Sequence, residues 1–162
     1  MVIRLLSRFE KVVMNGGIII EALAGMIVPI RGGCLCGQLS YVCNKAPVWS
    51  VNCHCLSCQK LSGAPYVSAF SVPPDSFETN GETIAFQRMS ESGHTVTTTH
   101  CASCGSRVYA QSAGADHFMN VFASTLSDPS SFRPISNVYL CEAAHWTEPL
   151  NLPFNFQKMP GA

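Results

Sequence analysis

Seven cysteines in three tight groups constrain this chain more than any other feature. The groups are Cys34-x-Cys36, Cys53-x-Cys55-x-x-Cys58 and Cys101-x-x-Cys104. Thiolates held this close repel one another unless a dication offsets their charge, and Cys-x-x-Cys spacing sets two sulfurs on one ion. The total of nine cysteines is odd, which argues against complete disulfide pairing. The spacing therefore predicts two zinc sites in a reducing cytoplasm rather than a disulfide scaffold.

At 162 residues and 47% hydrophobic content the chain can bury a core, and a single domain is expected. Only 12% of residues are charged, the net charge is zero, and no run of Lys and Arg occurs. Phosphate-backbone binding needs clustered basic side chains, so nucleic acid is not expected as the main partner. Residues 1–29 read differently from the rest. They are apolar with scattered charges, among them Arg4, Arg8, Glu10, Lys11 and Glu21. We read them as an N-terminal extension, with a short amphipathic helix over residues 2–14 stopped by Asn15-Gly16-Gly17. The other readings are a misassigned start, with translation beginning at Met14 or Met26, and a targeting segment, which Glu10 and Glu21 argue against by interrupting the apolar stretch. No apolar run approaches the roughly 18 residues of a membrane helix, so no membrane partner is expected. The working domain is expected over residues 30–156, with residues 157–162 as a tail. The sequence leaves the oligomeric state open.

From Arg31 onward the pattern is that of a mainly β protein with very little helix. Gln38 to Cys43, Tyr66 to Val72, Thr83 to Met89, His94 to His100, Arg107 to Gln111, Phe118 to Ala123 and Asn137 to Cys141 read as strands, and Val48 to Asn52 leads into Cys53. Thr95 to Thr99 is almost wholly β-branched, which disfavours helix. Asn80-Gly81 reads as a hairpin turn, and Glu91-Ser92-Gly93 as another. Leu56 to Leu61 predicts one short helical turn, ended by Ser62-Gly63. Glycines beside the cysteines, such as Gly37 and Gly105, let backbone amides fold toward sulfur. Tyr66, Phe70, Phe118, Phe122 and Trp146 are expected to pack, and His94 and His117 to face solvent.

Cys34, Cys36, Cys101 and Cys104 form a four-thiolate set, the pattern of a closed structural zinc. A thioredoxin-like redox role for Cys101-x-x-Cys104 competes, but it needs a helix after the first cysteine, and Ser106 to Ala110 reads as strand. Cys53, Cys55 and Cys58 supply three thiolates without a fourth cysteine nearby, the pattern of an open, reactive zinc. Alternatively His54 or His100 closes this second site and makes it structural. His54 lies between ligands and is expected to point away from the shared ion. His100 is a candidate base. Zinc with three thiolates is net negative and a weak Lewis acid, so it suits a soft nucleophile. It would lower the pKa of a substrate thiol, which could then add to a small aldehyde or be released from the adduct. Lys60 and Gly63 are candidate substrate contacts, Lys60 for a carboxylate, although a surface lysine is the plainer reading. Asp75, Glu78 and Glu82 form no convergent pair for carboxylate acid–base chemistry.

These motifs, in this order, resemble the glutathione-dependent formaldehyde-activating enzyme family, which includes the centromere protein V type domain. The resemblance spans about Arg31 to Phe154. It rests on Gly33-Cys34-x-Cys36-Gly37, Asn52-Cys53-His54-Cys55-x-x-Cys58-x-Lys60-x-Ser62-Gly63, Cys101-x-x-Cys104-Gly105 and Leu152-Pro153-x-Phe154. The chain departs from the common pattern at Leu35, often His, and at Thr98-Thr99-His100, often Arg-x-Phe. The resemblance implies a zinc-binding β-tent of stacked antiparallel sheets. It implies a structural zinc on Cys34, Cys36, Cys101 and Cys104 and a second zinc on Cys53, Cys55 and Cys58. It also implies carbon–sulfur lyase activity on an adduct such as S-(hydroxymethyl)glutathione, with glutathione as the small-thiol partner. The competing expectation is a non-catalytic, zinc-stabilised interaction module.

Overall fold

The computed structural model describes residues 26–160. The helix expected over residues 2–14 and the start proposed at Met14 lie outside them. The strands run in chain order as β1 (Ile30–Gly33), β2 (Ser40–Cys43), β3 (Trp49–Cys53), β4 (Val67–Val72), β5 (Phe77–Asn80) and β6 (Thr83–Met89). They continue as β7 (Thr95–Cys101), β8 (Arg107–Ser112), β9 (Met119–Phe122), β10 (Ser136–Val138) and β11 (Phe154–Asn155). Among the described residues one α-helix is present, α1 (Leu56–Ser62), with several short 3₁₀ turns. The mainly β expectation holds, and no described helix is long and apolar enough to cross a membrane.

Backbone contacts divide the chain into two compact units. In its described part, one comprises residues 50–69 and 133–160; the other comprises residues 26–49 and 70–132. Each unit carries one of the two cysteine clusters.

In the unit of residues 26–49 and 70–132, β1, β2 and β5 form an antiparallel sheet in the order β1-β2-β5. Alternation in β2 turns Tyr41 and Cys43 inward. Tyr41 packs on Phe77, and Phe77 meets Tyr109 edge-on. Strands β6 to β9 run antiparallel in the order β9-β8-β7-β6, with a bulge at Thr99/His100. Leu39, Tyr41, Phe70, Val72, Val108 and Val121 are shielded in the core. Met26 is buried against the same core.

One turn departs from expectation. Asn80-Gly81 does not close a hairpin: β5 pairs with β2, whereas β6 pairs with β7. It is a corner between two sheets. Gly81 has φ +124, and a side chain there would strike the Gln38 carbonyl and Leu39, so glycine serves the corner as it would a hairpin. The turn at Glu91-Ser92-Gly93 does join β6 to β7 as a hairpin, in regular register from Thr83↔Cys101 to Met89↔Thr95.

In the unit of residues 50–69 and 133–160, the strand order is β11-β10-β3 followed by the start of β4. Here β10 runs parallel to both β3 and β11, with Asn137 opposite Asn52 and Asn155. This sheet is thus mixed rather than purely antiparallel. A long stretch of chain separates β3 from β10, and such a connection permits parallel pairing. The last strand expectation is also shortened. β10 ends at Val138, Tyr139 takes a left-handed conformation (φ 58), and Leu140–Glu142 is a 3₁₀ turn. Trp146, expected to pack, is 68% exposed. It follows the last buried residue of that turn region, Ala144, and lies outside the apolar interior.

Candidate metal centres

The four-cysteine group is assembled from two turns. After β1, the Cys34 amide donates to the Leu39 carbonyl (2.8 Å), and the Gly37 amide returns to Cys34 (3.2 Å). At the end of β7, the Gly105 amide donates to the Cys101 carbonyl (3.0 Å), and the Cys101 amide to Ser106 (2.9 Å). These two knuckles bring all four sulfurs within 4.8 Å of one another. Cys34 and Cys36 sulfurs are 3.5 Å apart, and Cys36 and Cys101 sulfurs 3.8 Å. The Leu39 amide donates to Cys34 Sγ (3.2 Å). Ser106 Oγ accepts from the Leu35 amide (3.0 Å), which leaves its hydroxyl proton for Cys104 Sγ at 3.2 Å.

The electrostatics follow from these contacts. Hydrogen bonds from the Ser106 side chain and backbone hold the Cys104 thiol low, at about 5. Burial resists ionisation of Cys34, yet the Leu39 amide and the neighbouring thiols Cys36 and Cys101 together keep it below the ordinary value. At Cys36 the Gln38 backbone favours the thiolate, but burial and the crowding of Cys104, Cys34 and Cys101 outweigh it and push the thiol to about 12. Such a cluster cannot ionise fully on its own; a bound dication removes that conflict.

The three-cysteine group lies at the end of β3 and the start of α1. Cys53 is the last residue of β3, Cys55 is the N-cap of α1, and Cys58 is buried in its first turn. The Cys58 amide donates to Cys55 Sγ (3.3 Å), so the cap itself orients a candidate ligand. The three sulfurs lie within 4.8 Å of one another. Hydrogen bonding with Cys55 and Cys58, then burial, drive the Cys53 thiol far above its ordinary range. Three crowded donors, with the Cys58 amide favouring anionic sulfur at Cys55, fit a metal ion as well as the four-cysteine group does.

No histidine belongs to this group among the described residues. His54 turns its ring into the protein, where Nε2 donates to Asn137 Oδ1 (3.1 Å) and the ring lies 5.0 Å from Tyr66. Asn137 Nδ2 donates in turn to the Leu150 carbonyl (2.7 Å) and to Asn155 Oδ1 (2.8 Å). Gln59 Nε2 donates to the carbonyls of His54 (2.6 Å) and Glu142 (2.8 Å). Glu142 Oε2 accepts from the Leu56 amide (2.6 Å). The loop from Cys53 to Cys58 is therefore held on both sides by hydrogen bonds.

The other sequence candidates fall as follows. Lys60 is exposed in the last turn of α1. Gly63 is the left-handed C-cap of that helix (φ 67), with open space where a side chain would stand. His100 belongs to the unit of the four-cysteine group; its Nδ1 lies 3.1 Å from the Gly105 carbonyl, and its ring meets Phe86 edge-on. Sequence reasoning missed Ser106, Asn137, Gln59 and Glu142. None stands in a motif whose spacing announces its partner; Gln59, between Cys58 and Lys60, carried the only positional hint.

No curated protein matches the chain. The family model described as glutathione-dependent formaldehyde-activating enzyme matches residues 29–142. That span holds both cysteine clusters, the helix that carries Cys58 and the turn that carries Glu142. The chain belongs to the glutathione-dependent formaldehyde-activating enzyme family.

Proposed function

We propose that the protein is a zinc-dependent carbon–sulfur lyase acting on a thiol–aldehyde adduct such as S-(hydroxymethyl)glutathione. The observation that carries this reading is the Cys53, Cys55 and Cys58 group. Three thiols converge there, with no histidine, carboxylate or fourth cysteine joining them among the described residues. Three protein donors are the pattern of a zinc that keeps a position for substrate, and four that of a structural zinc. Zinc held by Cys53, Cys55 and Cys58 would lower the pKa of a substrate thiol, so that the thiolate would form near neutral pH.

The chain's own contribution is positional. The α1 cap orients Cys55, and Gln59 and Glu142 fix the loop that carries the donors. Lys60 offers an exposed ammonium to a glutathione carboxylate, and Gly63 leaves room for the peptide backbone. In the synthetic direction the substrate thiolate attacks the aldehyde carbon, a C–S bond forms, and the carbonyl oxygen takes a proton from solvent. Cleavage is the reverse. We assign the activity to residues 30–156, with residues 1–29 as an extension and residues 157–162 as a tail. The nine cysteines are all free thiols, which accords with a cytoplasmic, reducing setting.

Calorimetry of the two-zinc protein with glutathione tests this reading, together with turnover of the adduct by Cys55→Ser. Glutathione should bind, and the variant should lose turnover. A two-zinc protein that binds no glutathione, or a Cys55→Ser variant with full turnover, would leave the non-catalytic module as the better account.

A further inference from the structure

Among the described residues, strand β6 is an unprotected edge. It pairs with β7 on one side and with no described strand on the other. It is seven residues long, has an unbroken register, lacks proline, and carries Arg88 as its single charge. Ile84 is 46% exposed, Phe86 58% and Met89 65%. Soluble proteins usually blunt such an edge with charge, proline or a bulge, because its free amides and carbonyls recruit another strand.

The ladder shows which backbone groups are free. The Ala102 amide donates to the Glu82 carbonyl, and the Ser90 amide to the His94 carbonyl. Even-numbered residues of this strand therefore spend their backbone groups on β7, and Thr83, Ala85, Gln87 and Met89 turn theirs outward. The even-numbered side chains share one face in the order Glu82, Ile84, Phe86, Arg88. Glu82 is exposed and forms no ion pair among the described residues. Arg88 Nε is buried without a hydrogen-bond partner.

We propose that β6 is the docking edge for a second copy of this chain, paired antiparallel about a two-fold axis at Ala85. In that register Thr83 and Gln87 of the two copies, and the two Ala85 residues, form the hydrogen-bonded pairs. These are the residues whose amides and carbonyls face outward. On the even face Glu82 of each copy opposes Arg88 of the other, and Ile84 opposes Phe86. These even-numbered positions are the non-hydrogen-bonded pairs, where opposed side chains approach most closely. Centring the axis on Thr83, Ile84, Phe86 or Gln87 separates Glu82 from Arg88. The Ala85 register alone matches charge with opposite charge while it also covers Ile84 and Phe86. Because the operation is two-fold, it closes at a dimer.

Sedimentation of the metal-loaded full chain over a wide concentration series tests this. The wild-type protein should pass from monomer to dimer. Glu82→Arg and Arg88→Glu each act twice across the axis and should each weaken dimerisation by about tenfold. The double variant, with the charges exchanged, should recover wild-type association. Glu82 is exposed and Arg88 half-buried on the edge strand, so circular dichroism with metal content checks that each variant folds. A wild-type protein that stays monomeric, a mass above two copies, single variants that dimerise normally, or a double variant that fails to recover would each overturn the proposal.

Discussion

His54 Nε2 donates to Asn137 Oδ1 across 3.1 Å, and both side chains are almost wholly shielded from water. His54 sits between two candidate metal ligands, so this bond fixes the path of the ligand loop from a residue far along the chain. Asn137 also spends both amide hydrogens, on Leu150 and Asn155. We predict that Asn137→Ala destabilises the protein by roughly 1–3 kcal/mol, since it strands the buried His54 imidazole at about that cost for an unsatisfied group. Denaturant unfolding measures this. The same variant should release metal from the Cys53 group to chelator faster than wild type, with release from the four-cysteine group unchanged.

Cys101→Ala should act on the whole fold. Cys101 is 1% exposed, closes β7 and belongs to the core cluster. A closed four-thiolate site contributes about 10–16 kcal/mol of apparent folding free energy in small zinc peptides, as much as the net stability of a typical domain. The variant should therefore be insoluble or unfolded, judged by expression and circular dichroism. A soluble variant that unfolds cooperatively with half the metal would show that the site is not structural.

Ser106→Ala should be milder and local. The Ser106 hydroxyl is the largest influence holding Cys104 low, at about 5. Its loss makes Cys104 a weaker competitor for metal against protons. The variant should fold, but its four-cysteine group should lose metal at a higher pH than wild type during acid titration. Equal midpoints for the two proteins would remove Ser106 from the account.

Cys43, which belongs to neither cluster, gives a pH dependence of its own. Burial pushes its thiol from 9.0 up to about 12. In the unfolded chain the thiol ionises near its ordinary value, while the folded chain holds the proton. The unfolded state thus binds fewer protons above pH 9, and stability falls as pH rises toward 12. Below pH 9 this contribution is fully present. Cys43→Ala should fold less stably near neutral pH because it empties core volume, yet its stability should fall less steeply above pH 9. Parallel pH profiles for the two proteins would show that Cys43 does not titrate on unfolding.

Much of the candidate site was legible because metal-ligand spacing is local. Cys34 with Cys36, and Cys101 with Cys104, announce themselves within a few residues, and so does the helix capped by Cys55 and ended at Gly63. The supporting groups were not legible. Gln59 and Glu142, or His54 and Asn137, stand 83 residues apart, and no periodicity links them. The misread turn has the same origin. Asn80-Gly81 permits a sharp change of direction, but whether β5 and β6 then pair depends on what other strands offer. Here β2 takes β5, with Tyr41 packed on Phe77, and β7 takes β6.

The sequence by itself determined the three cysteine groups, the β-rich character and the family, because each is written in residue type and short spacing. Tertiary structure alone decided that His54 finds Asn137 as its partner and that β10 inserts parallel to β3. It also decided that Glu142 holds the amide next to Cys55 and that β6 has no partner on its outer side among the described residues. Those outcomes depend on closing long loops between distant segments, and the partner that repays the closure entropy is chosen by packing and hydrogen bonding in three dimensions.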